Sequence, residues 1–91
     1  MPKYVIEREV PGVHKLEGRD RQAAALQSIR ALKEIGTDIQ WIHSYISADR
    51  THCVYLSENE DLIHEHAKRS KFPVTNIYKV DYLLEPVSGE G

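Results

Sequence analysis

The sequence predicts one α+β domain whose elements follow the order β-α-β-β-α-β along 91 residues. Three observations support this order. Four short segments are rich in β-branched and aromatic residues, two longer segments repeat apolar residues at helical spacing, and a short turn joins the second and third strands. The order is that of the ferredoxin-like fold, so we expect an antiparallel four-stranded sheet, ordered 4-1-3-2, with both helices on one face.

The first half of the chain holds one strand and one long helix. Residues Lys3–Glu9 form the first predicted strand, and the pair Pro11-Gly12 marks a turn after it. Residues 19–35 form the first predicted helix, because apolar side chains recur there at intervals of three and four. Gly36 follows directly, which is typical of a helix C-terminus.

The second half of the chain holds a hairpin, a second helix and a last strand. The segments Ile39–Ser47 and 51–56 flank a short turn, which predicts a β-hairpin. Ser57 begins the string Ser-Glu-Asn-Glu, which matches a capping box, so the second helix is predicted to begin there and to end near Ser70. A fourth strand is predicted over residues 76–84.

Composition and charge narrow the class of protein. Hydrophobic residues make up 41% of the chain, charged residues 29%, and the formal net charge is −2, all typical of a soluble globular domain. We expect no nucleic-acid partner, because a clustered basic surface is missing. We expect no membrane partner and a cytoplasmic location, because neither a long apolar run nor a signal peptide is recognisable. Residues 1–86 are predicted to form the domain and residues 87–91 a flexible tail.

The hairpin carries an unusual row of polar and aromatic side chains. Residues 48–50 are predicted to form its turn, so that Ser47 pairs with Thr51. Because side chains alternate between faces along a strand, this register places the odd-numbered residues of both strands on one face of the sheet. The side chains in this row are Trp41, His43, Tyr45, Cys53 and Tyr55.

The row is predicted to lie on the open face of the sheet, away from the helices. The strand residues that alternate with this row are mostly apolar and are predicted to face the helices. They are Tyr4, Ile6, Ile42, Ile46, Val54, Leu56, Tyr78, Val80 and Tyr82. The open face, which also carries Glu7, is too apolar to remain in contact with water. We therefore expect a homodimer in which two open faces meet, with Trp41, Tyr45 and Tyr55 at the interface or lining a pocket.

Glu7 and His43 are the first candidates for metal ligands. The strands that carry them flank the third strand, about 10 Å apart at a strand spacing of about 4.8 Å, so two inward-reaching side chains can share an ion bound at about 2.1 Å. Imidazole and carboxylate bind Ni²⁺, Zn²⁺ or Cu²⁺, and the ligand types alone do not select among them. The alternative is that His43 is a hydrogen-bonded interface residue and that Glu7 pairs with Lys79.

Cys53 and His66 each have two interpretations. Cys53 shares the predicted open face with His43, yet a cysteine in the middle of a strand is more often an inert small hydrophobic residue, so we assign no catalytic residue. His66 lies on the apolar stripe of the second helix, where it is either a hydrogen-bonded core residue or part of a pocket. We do not expect His66 to share a metal ion with His43 within one protomer.

Several strings of the sequence occur together in a known order. They are PKYVIER at 2–8, QWIHSY at 40–45, CVY at 53–55, and IHEHA at 63–67 followed by Phe72-Pro73. From residue 2 to about residue 86, the chain resembles a family of small bacterial proteins long catalogued as a domain of unknown function, one member of which is described as nickel-binding. The chain departs from this pattern at Lys71, where a glycine is expected.

The resemblance implies a ferredoxin-like fold, a homodimer and nickel as the bound metal. Carried over by position, it implies metal ligands at Glu7, His43, Cys53 and the Glu65-His66 pair, of which we select His66. We therefore predict a non-catalytic module that binds nickel or a similar divalent metal ion for sequestration or sensing. The alternative is a dimeric α+β barrel, either a small-molecule binder or an enzyme in which His43 or Tyr45 acts as acid or base.

Overall fold

The computed structural model describes residues 1–90 and contains the predicted elements in the predicted order. The strands are β1 (Lys3–Glu9), β2 (Ile39–Ser47), β3 (Arg50–Ser57) and β4 (Asn76–Lys79). The helices are α1 (Gly18–Ile35) and α2 (Glu60–Ser70), with short 3-10 helices at Val13–Lys15 and Pro86–Glu90. All strand pairs are antiparallel and the sheet order is β2-β3-β1-β4, which is the predicted order viewed from the other edge. The ferredoxin-like α+β fold is therefore confirmed.

The hydrophobic core lies between the helices and one face of the sheet. Its centre is formed by Ile6 of β1, Tyr55 of β3 and Ile63 of α2, each no more than 2% exposed. The further buried apolar residues are Tyr4, Ala31, Ile39 and Cys53. Neither helix within residues 1–90 combines the length and the apolar character needed to cross a bilayer.

The hairpin turn is one residue shorter than predicted, so each side chain of β3 lies on the face of the sheet opposite to the predicted one. Ser47 pairs with Arg50 rather than with Thr51. Because side chains alternate with a period of two, a shift of one residue moves every side chain to the other face. Cys53 and Tyr55 are consequently buried against the helices, at 7% and 2% exposure, so their predicted place on the open face is wrong.

A bulge in β2 adds a second change of register. Trp41 lies opposite Tyr55, whereas His43 lies opposite Val54, so Ile42 is the extra residue of β2. Directly opposed residues share a face, so Trp41 lies on the core side and His43 on the open face. Ile42 itself is 46% exposed, contrary to its predicted place in the core.

The last strand is shorter than predicted. β4 ends at Lys79 instead of residue 84, and residues 80–85 continue without regular structure. Tyr78 and Tyr82, both predicted to face the helices, are 53% and 76% exposed. Of the predicted tail 87–91, Gly91 lies outside the described residues.

The ends of α2 also differ from the capping-box prediction. Asn59 is the N-cap residue, and its side-chain oxygen accepts a hydrogen bond from the backbone N–H of Leu62 at 3.0 Å. The Ser57 hydroxyl instead donates to the backbone carbonyl of Asn59 at 2.7 Å. At the other end Lys71 adopts a left-handed conformation with φ 64°, the geometry for which a glycine is best suited.

Candidate functional site

Glu7 is the centre of a polar cluster on the open face of the sheet. The register of β1 places it opposite His52 on β3 and opposite Asn76 on β4. Its Oε1 accepts a hydrogen bond from Nδ2 of Asn76 at 2.7 Å, and its Oε2 accepts one from Nη1 of Arg50 at 3.2 Å. The same Oε2 lies 3.4 Å from Nε2 of His52. Three neighbouring strands therefore converge on one carboxylate.

The charge state of this cluster is well defined. The hydrogen bond from Asn76 is the main reason that the pKa of Glu7 lies below its ordinary value, and the neighbouring Arg50 and His52 side chains act in the same direction. The Glu7 side chain is only 16% exposed, whereas Arg50 and His52 are 49% and 40% exposed. Glu7 is thus an ionised, positioned carboxylate between two partly exposed basic side chains.

His43 and Tyr45 lie on the same open face but do not contact Glu7. Tyr45 lies opposite His52, and its ring packs edge-on against the His43 ring with centroids 4.9 Å apart. The predicted pairing of Glu7 with Lys79 does not occur, because Lys79 lies opposite Tyr4.

The sheet separates the four residues that the sequence suggested as metal ligands. Glu7 and His43 lie on the open face, whereas Cys53 and His66 are buried between the sheet and the helices. His66 packs against the Tyr55 ring with centroids 5.2 Å apart. Among residues 1–90, no group of three or more His, Cys, Asp or Glu side chains is arranged to hold a metal ion.

Sequence reasoning missed three members of the cluster, namely His52, Arg50 and Asn76. The positions of His52 and Arg50 depend on the length of the hairpin turn, because a three-residue turn would place His52 on the opposite face from Glu7. A two-residue turn at Ala48-Asp49 is a common hairpin length, and considering it would have revealed the Glu7–His52 pair.

The fold and the cluster define a small ferredoxin-like domain with a carboxylate–imidazole pair on its open face. Residues 4–80 match the model of the family described as nickel responsive protein SCO4226-like, and the chain belongs to this family. The crystal structure of SCO4226 from Streptomyces coelicolor A3(2) is similar with a TM-score of 0.72 at 10% identity, covering 90% of this chain and 99% of that one. At this identity the similarity shows the fold alone. The search of curated proteins finds no significant match.

Proposed function

We propose that this protein binds a divalent metal ion on its open sheet face through Glu7 and His52. Nickel is the first candidate for this ion. The observation that carries the proposal is the 3.4 Å separation between Glu7 Oε2 and His52 Nε2. Two ligand atoms that each lie about 2.1 Å from one ion are about 3 Å apart, so this pair needs little adjustment. Carboxylate and imidazole suit several divalent metals, and the description of the family as nickel responsive favours nickel.

Two other carboxylate–imidazole pairs lie on the surface within residues 1–90, and they fit less well. His14 lies 3.5 Å from Asp49, and His64 lies 3.8 Å from Glu60. The carboxylates of both pairs are more than half exposed. Glu7 is far less exposed and is oriented by Asn76, which resembles the hydrogen bonding that orients metal-ligating carboxylates.

Arg50 is the group that a metal ion must displace from Glu7. Its guanidinium occupies the same Oε2 that faces His52. The Arg50 side chain is about half exposed, and ion pairs of this kind contribute only about 0–1 kcal/mol. Moving Arg50 into solvent is therefore a small cost for binding. Binding also requires a neutral His52 imidazole, so it weakens in acid.

A second copy of the chain is proposed to complete the coordination. One protomer supplies two ligands, whereas zinc sites in proteins usually have three or four protein ligands. The open face also exposes Tyr45 and Tyr78, with exposures of 63% and 53%. Contact between two such faces would cover this apolar area and add a second Glu7–His52 pair. His43 lies on the same face and is a further candidate ligand, whereas the buried Cys53 is not.

Calorimetric titration of the untagged protein with NiCl₂ tests the proposal. We expect Glu7→Gln and His52→Gln each to weaken nickel binding by at least about tenfold, because each removes one ligand. The matched control is His64→Gln, which removes an exposed imidazole beside Glu60 and should leave the affinity unchanged. Equal affinity in all four proteins, or loss of binding only in the His64 variant, would contradict the proposed site.

A further inference from the structure

We propose that the space between α1 and the inner face of the sheet binds a small organic carboxylate with an apolar body, and that Arg8 holds the carboxylate. This site is independent of the proposed metal site, because it lies on the opposite face of the sheet from Glu7 and His52. Three features carry the inference: a buried arginine with no ion-pair partner, surroundings that supply no anion, and an apolar cavity.

Arg8 is a buried cation without a counter-charge. Only 3% of the residue is exposed, and its Nε and Nη2 atoms are buried without a hydrogen-bond partner. None of the ion pairs formed within residues 1–90 includes Arg8. A guanidinium stays protonated in proteins, so Arg8 cannot avoid the cost of burial by losing its charge. A buried charge of this kind requires an anion.

The side chains around Arg8 do not supply that anion. Its guanidinium carbon lies 5.9 Å from the centre of the Tyr55 ring, and burial raises the pKa of Tyr55. His66 lies beyond it, bonded through Nε2 to the Ser28 hydroxyl at 3.1 Å. Burial, together with the charge of Arg8, lowers the pKa of His66 to about 4. Both rings are therefore neutral at physiological pH, so the Tyr55 ring meets Arg8 only as a neutral π face and neither ring supplies an anion.

The cavity beside Arg8 has the size of a small-molecule site. It measures about 490 Å³, and binding sites for small molecules commonly measure roughly 300–1,000 Å³. Apolar side chains dominate its lining, among them Val10, Val13, Leu16, Ala25, Trp41 and Phe72. A second cation, the exposed Arg21, also lines it. An anion with an apolar body matches this combination of charge and surface.

The atoms that lack partners indicate a carboxylate in particular. Nε and one terminal nitrogen form an edge of the guanidinium whose parallel N–H groups match the two oxygens of a carboxylate. Nε and Nη2 of Arg8 have no hydrogen-bond partner and are closed to water, while Arg8 itself lines the cavity, so a carboxylate in the cavity binds this edge once the side chain turns toward it. An apolar wall suits the body of an aliphatic or aromatic acid, whereas inorganic phosphate would leave that wall in contact with water.

Fluorescence titration with phenylacetate and octanoate tests the site, because Trp41 is the only tryptophan of the chain and lines the cavity. We expect both acids to change the Trp41 emission and to raise the melting temperature, and the uncharged phenylacetamide to bind at least about tenfold more weakly. Arg8→Met should abolish acid binding, whereas Arg30→Met, an exposed arginine of α1 outside the cavity lining, should retain it.

Three outcomes would overturn the inference. They are no response to either acid, equal binding by Arg8→Met, and tighter binding of inorganic phosphate than of both acids. If Arg8→Met fails to fold, the Nε–H signal of Arg8 in the wild-type NMR spectrum replaces it. A shift of that signal on addition of octanoate supports the site, and an unchanged signal contradicts it. None of these measurements involves nickel, so a negative result for the carboxylate site does not contradict the proposed metal site.

Discussion

Glu7 and Arg8 are consecutive residues of β1 whose side chains lie on opposite faces of the sheet. Glu7 contacts Asn76 and Arg50 on the open face, whereas Arg8 is buried on the helix side. Because side chains alternate along a strand, one dipeptide supplies the anion of the outer cluster and the cation of the interior. Each face of the sheet can therefore be tested separately.

The hydrogen bond from Asn76 should control the pKa of Glu7. In Asn76→Leu the ionised carboxylate loses its strongest support, so we expect the pKa of Glu7 to rise. Arg50→Gln should raise it less, because the charge of Arg50 is a smaller influence than the hydrogen bond. NMR titration of the Glu7 carboxyl carbon measures both changes. A larger rise in the Arg50 variant would contradict this ranking.

His66 should make the protein less stable in mildly acidic solution. Its pKa is about 4 in the folded protein and about 6.5 in the unfolded chain, so between these values only the unfolded chain takes up a proton. The free energy of unfolding should therefore fall as the pH drops below about 6.5, by about 2 kcal/mol at pH 5 from this residue alone. Above about pH 6.5, His66 adds no pH dependence to the free energy of unfolding.

Urea denaturation of His66→Gln at pH 5 and at a pH above about 6.5 tests this dependence. The variant should lose most of the difference, whereas His64→Gln, in which the imidazole removed is exposed, should retain it. If the free energy of unfolding depends on pH in the same way for wild type and His66→Gln, His66 is not the cause of the loss of stability in acid.

The C-terminus of α2 should be strained by its lysine. Lys71 has φ 64°, where a Cβ atom costs about 1 kcal/mol or more and glycine is tolerated freely. Lys71→Gly should therefore raise the free energy of unfolding by up to about 1 kcal/mol, measured by chemical denaturation. Lys71→Ala keeps the Cβ atom and should give no such gain, and equal stability of the two variants would contradict the explanation.

The open face should mediate self-association. We expect the wild type to sediment as a dimer at micromolar concentration, and Tyr45→Glu to sediment as a monomer because a charge replaces an exposed aromatic ring. Leu26→Glu, on the exposed surface of α1, is the matched control and should remain dimeric. A monomeric wild type would rule out this part of the proposal.

The order of elements was predictable from the sequence, but the facing of the strands was not. Periodicity and turn residues identify each element, whereas facing depends on a single residue of register in the hairpin. Ser47 pairs with Arg50, and Ile42 bulges from β2. Neither the two-residue turn nor the bulge is marked by characteristic residues in this hairpin, so Cys53 was assigned to the wrong face.

The candidate sites show the same division between local and long-range information. Glu7 was identified because alternation along the first strand places it on the open face, but its partner His52 depended on the register of the hairpin. Arg8 was not noticed, because an arginine is almost always exposed unless it is paired. Arg8 is buried because it lies on the same face of β1 as Tyr4 and Ile6. The sequence predicts this burial only if a charged residue is accepted as a core residue.

Anomalous diffraction from a crystal soaked in NiCl₂, recorded at the nickel absorption edge, tests the central claim most directly. The account predicts a peak on the open face with the Glu7 carboxylate and the His52 imidazole at about 2.1 Å. A peak confined to the exposed pairs His14–Asp49 or His64–Glu60, with none beside Glu7, would contradict it.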